Sequence, residues 1–169
     1  MTNETPKSGA AQSDGAVKSV VLAAVAGAVL INVYLAISEV GIFHVATAQQ
    51  LSQWDWSNVA GAAAFQGGWR TAALGFFLHL TVSAVWAAIA VLCARNVKAL
   101  GAHPIVWGFF YGLIVMAIMR WGVVPLGHAM KPHAKPVWML NLVIAHTLFF
   151  GIPVAWVASR AAKNRLLNA

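Results

Sequence analysis

Residues 70–95 read RTAALGFFLHLTVSAVWAAIAVLCAR, an apolar run bounded by Arg70 and Arg95 and interrupted by no charge, only by His79. About 20 such residues cross the roughly 30 Å hydrocarbon core of a bilayer as a helix. Three further runs of the same kind lie at about 18–45, 104–126 and 136–159. Backbone groups in lipid must be satisfied within the segment, which makes helices the implied state. The period-2 alternation of a membrane barrel is missing. The sequence therefore predicts an all-α, polytopic membrane protein with four transmembrane helices over residues 17–160. A polar tail, residues 1–16, is expected to be disordered, and a basic tail follows over 161–169.

Composition narrows the function. Of 169 residues, 60% are hydrophobic and 9% are charged, against roughly 25% charged in a soluble domain. So few charges cannot clothe a soluble enzyme, and the richness in apolar residues excludes a disordered chain. One cysteine, Cys93, permits no intrachain disulfide. The net charge of +7 does not indicate nucleic acid, because the basic residues stand singly at the ends of apolar runs rather than clustered on one face.

Those end charges give direction. With simple alternation, Lys7, Lys18, Arg95, Lys98, Arg160, Lys163 and Arg165 fall on one side and Arg70, Lys131 and Lys135 on the other. The excess places both termini in the cytoplasm of a bacterial inner-membrane protein. Trp69, Trp121 and Trp138 then mark the outer interface. Ala46-Thr47-Ala48 resembles a signal-cleavage site, but the preceding apolar run exceeds the roughly 7–15 residues of a signal core. The first outer loop, residues 46–69, holds Trp54-Asp55-Trp56-Ser57 and a small-residue stretch closed by Gly67-Gly68. It predicts a short interfacial helix capped by Asp55 or Ser57 and ended by the glycine pair. That helix either covers the bundle mouth or dips in as a re-entrant gate.

Gly61-Ala62-Ala63-Ala64-Phe65-Gln66-Gly67-Gly68, Leu74-Gly75, Leu78-His79, Tyr111-Gly112, Val124-Pro125-Leu126, His146 and Gly151-Ile152-Pro153 together resemble the pattern of an uncharacterised family of small four-helix bacterial inner-membrane proteins. The resemblance covers about residues 57 to 157. It implies the four-span topology and no established activity. Met119-Arg120 departs from the Met-Asn of that pattern, so no role of a neutral amide carries over to Arg120.

Ionisable residues inside a membrane are costly and point to function by default. Glu39, His79, Arg120 and His146 qualify, one per helix. At 1.5 Å per residue all four fall roughly 8–14 Å from the outer boundary. Gly108, Gly112, Met116 and Arg120 share one helix row, and Gly108-x-x-x-Gly112 predicts close packing. Gly75, His79, Ser83 and Ala87 form a second row, and Asn32 shares a face with Glu39. Pro153 leaves the carbonyl of Phe149 without its usual partner.

Several readings of this layer stand open. A Glu39–Arg120 ion pair with neutral His79 and His146 would fix helix order. A polar cavity would bind a small ligand, lipid headgroup or partner subunit, with Arg120 as the fork for an anionic group. His79 and His146 at equal depth would hold a b-type haem or a metal as a redox component. The loop residues His128, Met130 and His133 offer a weaker copper set. No phosphate loop, H-E-x-x-H, C-x-x-C or paired buried carboxylates are present, which argues against an enzyme. The partners expected are the lipid bilayer and either a second copy or a membrane subunit.

Overall fold

A computed structural model describes residues 7–129 and 136–167, and every regular element among them is helical. In chain order these are α1 (Lys7–Leu35), α2 (Ala48–Ala60), α3 (Gly68–Asn96), α4 (Lys98–Ala102), α5 (Pro104–Ala117), α6 (Val124–Leu126), α7 (Pro136–Ile144) and α8 (Ile152–Leu167). Wide π-helical turns continue three of them: Ala36–Ile42 after α1, Ile118–Val123 joining α5 to α6, and Ala145–Gly151 joining α7 to α8. Four helices long and apolar enough to cross a membrane result: Asp14–Ile42, Gly68–Asn96, Pro104–Leu126 and Pro136–Lys163. The first of these runs back as α1 to Lys7, so helix occupies residues expected to lie in a disordered tail. Lys131, Lys135, Met130 and His133 lie outside the described residues.

The interior is built from small side chains. Ala23, Ala24, Ala28, Ala87, Ala90, Ala94, Ala145, Ala155 and Ala158 are buried, whereas Leu22, Ile37, Phe77, Leu92, Phe110 and Leu140 point outward. This inverts the arrangement of a water-soluble bundle. Helices whose outer surface is already apolar gain little by burying large hydrophobes, and associate instead by close backbone approach across small residues.

The fourth span, Pro136–Lys163, is central and packs against the other three. Its tightest crossing is with the third span. A Cβ at Gly108 would stand 2.6 Å from Ile152 Cα, and one at Gly112 would strike the His146 carbonyl. Gly151 answers from the other side, meeting Gly108 and Gly112. The close packing predicted for Gly108-x-x-x-Gly112 is therefore present. Tyr111 adds a tie from the third span to the second by donating to the Trp86 carbonyl.

Two of the π turns have a covalent cause. Ile118–Val123 ends two residues before Pro125, and Ala145–Gly151 ends two residues before Pro153. Proline lacks an N–H and its ring collides with the carbonyl four residues back. Widening the turn relieves that collision: Val124 N–H reaches Met119 O and Ile152 N–H reaches Thr147 O, five residues back in each case. The first span has no proline there and widens as it ends, with Phe43 N–H donating to Ser38 O. His44 then reverses the chain with a left-handed φ of 50°.

Candidate functional site

Helix α2 starts at Thr47, not at Asp55 or Ser57. The Thr47 hydroxyl accepts from Gln50 N–H (3.2 Å) and the Gln50 side chain accepts from Thr47 N–H (2.8 Å), a reciprocal capping box. Its α-helical part ends at Gly61, whose φ of +56° is open to glycine, and a 3-10 helix, Gly61–Gln66, carries the chain on to the expected pair at Gly67. Asp55 and Ser57 thus lie within the helix, and the Ser57 hydroxyl donates to the Trp54 carbonyl (2.7 Å).

The cap position fixes where α2 goes. Near its start, the Gln53 amide donates to Gly68 O (3.0 Å) and to Thr71 Oγ1 (3.1 Å) at the beginning of α3. Near its end, Asn58 O accepts from His128 N–H (2.9 Å) beyond the third span. Between these anchors α2 crosses Gly75, where a Cβ would overlap the Ser52 carbonyl. Gln53 and Ser57 are fully enclosed by this docking. The helix therefore covers this end of the bundle from the second span to the third.

Beneath that cover Asp55 meets His79, with Oδ2 3.4 Å from Nδ1. No other basic and acidic side chains approach within 4.0 Å among the described residues. The His79 side chain is 19% exposed, yet its Nε2 is enclosed and has no hydrogen-bond partner. His146, from the π turn of the fourth span, directs Nδ1 at the Leu142 carbonyl (2.9 Å) and lies within electrostatic range of His79 and Asp55. Each histidine is thus oriented through Nδ1. An imidazole held by an Nδ1–H bond to an acceptor carries its lone pair on Nε2.

A second polar group joins the first and fourth spans. Tyr34 donates its hydroxyl proton to Asn141 Oδ1 (2.7 Å), and Asn141 Nδ2 donates to Glu39 Oε1 (3.4 Å). The Tyr34 ring stacks on Phe149 at 4.3 Å between centroids. Asn141 is buried and ties the carboxylate to the bundle centre.

The expected Glu39–Arg120 ion pair is not formed. Glu39 is taken by Asn141, while Arg120 is half-buried in the π turn Ile118–Val123. Asn32 does not join Glu39 either, and its amide donates to Ala28 O of its own helix (2.8 Å). Both departures have one cause. A π turn places one more residue in a turn than an α-helix does. The turns beginning at Ala36 and Ile118 fall between Asn32 and Glu39, and between Met116 and Arg120. They rotate the later residue off the row that regular helical spacing assigns it. His128 is exposed and donates only its backbone N–H to α2. No group of three or more His, Cys, Asp or Glu side chains in metal-binding proximity occurs among the described residues.

Three participants escaped the sequence reading. Asp55 was visible as one of four carboxylates, but Trp-Asp-Trp-Ser reads equally as a helix start. Asn141 and Tyr34 are uncharged, and a search limited to ionisable residues in apolar runs passes over an amide just inside Trp138. Comparison of the chain with models of protein families, with curated proteins and with solved structures finds no match.

Proposed function

We propose that the chain is an integral, multi-pass protein of a bacterial inner membrane with both termini cytoplasmic, and that its outer mouth, covered by α2 lying at the membrane interface, binds a small ligand at His79 without covalent catalysis. The outward-facing Leu, Ile and Phe side chains over an alanine interior support the lipid setting. The observation that carries the site is the enclosed, unpartnered Nε2 of His79. A buried polar nitrogen left unsatisfied costs about 1–3 kcal/mol. Such a group is retained where something else completes it. With Nδ1 on Asp55, Nε2 offers a lone pair, so the ligand class is a proton, a hydrogen-bond donor or a borderline-soft cation.

A redox reading with haem b or a metal on His79 and His146 is favoured by one feature, that both rings are oriented through Nδ1 and leave Nε2 for a ligand. The chain purified in mild detergent separates these readings. Zn2+ titration is expected to raise the unfolding temperature of the wild type, and His79→Ala is expected to abolish the rise. Haem reconstitution yields a Soret band lost in His79→Ala if the redox reading holds. A wild type indifferent to both Zn2+ and haem, with His79→Ala unfolding at a much lower temperature, would leave His79 a packing residue and overturn the proposal.

A further inference from the structure

At the opposite end of the bundle from α2, where α3 ends and α8 passes α4, a cavity of about 290 Å3 opens to the surface. Arg95 and Lys98 approach it from the end of α3 and the start of α4, and Lys163 from α8. Asn96 stands beside them, and the rest of the lining is small and apolar, including Ala94, Ala102 and Ala162. Among the described residues no carboxylate lines it, and none of the three cations makes a salt bridge. Gly101 also lines the cavity, and a Cβ added there would meet no atom within 4 Å. The space is therefore real and unfilled by the chain's own side chains.

Three cations around one recess, with no counter-charge among the described residues, set up a strongly positive local potential. A guanidinium matches two oxygens of one phosphate, and two ammonium groups add point charge without geometric demand. The alanine floor gives such a ligand's apolar neighbour a place to lie. We infer that the recess between α3, α4 and α8 is a binding site for a phosphate group, presented either as the headgroup of an anionic lipid or as a free phosphate anion. Basic pockets between helix ends on the cytoplasmic side suit acidic headgroups. This inference uses the membrane reading only for the lipid source and is independent of the His79 site.

The test uses the full chain in a neutral detergent. Native mass spectrometry after addition of phosphatidylglycerol or phosphatidylcholine reports lipid retention, and thermal unfolding with inorganic phosphate reports the free anion. Retention of phosphatidylglycerol over phosphatidylcholine assigns the lipid source, and stabilisation by millimolar phosphate without lipid preference assigns the free one. In either case Arg95→Gln/Lys163→Gln should weaken binding roughly thirtyfold, at about fivefold for each surface charge removed. Gly101→Leu should block it with no change of charge. Lys18→Gln/Arg70→Gln, an equal change of charge elsewhere, should leave it intact. Equal retention of both lipids with no response to phosphate overturns the inference. So does Arg95→Gln/Lys163→Gln binding like the wild type, a result that stands even if Gly101→Leu fails to fold.

Discussion

Gly75 decides how α2 docks, since its missing side chain is the space that the Ser52 backbone occupies. Gly75→Ala should destabilise the protein by about 1–3 kcal/mol, the usual cost of overfilling a packed contact. The matched control is Gly15→Ala, where a Cβ meets nothing within 4 Å and stability should be unchanged or slightly raised. Thermal unfolding in detergent compares the two. At this scale the sequence was partly legible. His79 and His146 stood out as titratable groups in apolar runs, and Nδ1 of each faces an oxygen of another residue. Depth along a helix follows from counting residues. Azimuth does not, once a turn widens, and for that reason Glu39 finds Asn141 rather than Arg120.

Among the elements, α2 carries the largest difference from expectation. A short helix between residues 46 and 69 was legible from its composition, but its start was not. Thr47 and Gln50 form the cap that Asp55 or Ser57 was expected to supply. Thr47→Ala should cost α2 about 1 kcal/mol. Hydrogen exchange should then accelerate at Gln50 and Leu51, whose amides Thr47 holds, while amides in the middle of α3 keep their protection. Uniform acceleration across both helices would mean that α2 and α3 unfold as one unit. The π turns were less accessible to sequence reasoning. Pro153 marked where one backbone ladder breaks, but a missing donor is compatible with a kink, a bulge or a helix end.

For the whole molecule, the apolar runs delimited the spans closely. The third runs from Pro104 to Leu126 as expected, and the second exceeds its expected ends by two residues at Gly68 and one at Asn96. Long apolar segments are strong signals because no competing structure satisfies their backbone in lipid. The helix neighbourhood was weaker in the sequence. The centrality of the fourth span depends on Gly108, Gly112 and Gly151 meeting across two helices, and one chain's glycine spacing shows only half of such a contact. The claim on which the rest depends is that the four spans cross a bilayer and put α2 outside. The chain's only cysteine, Cys93, allows a direct test. In a Cys93→Ser background, Ala62→Cys beyond α2 and Ala99→Cys in α4 each place one thiol at an exposed position. A membrane-impermeant maleimide should label position 62 in intact cells and position 99 only after permeabilisation. Labelling of both positions from the same side would contradict the account.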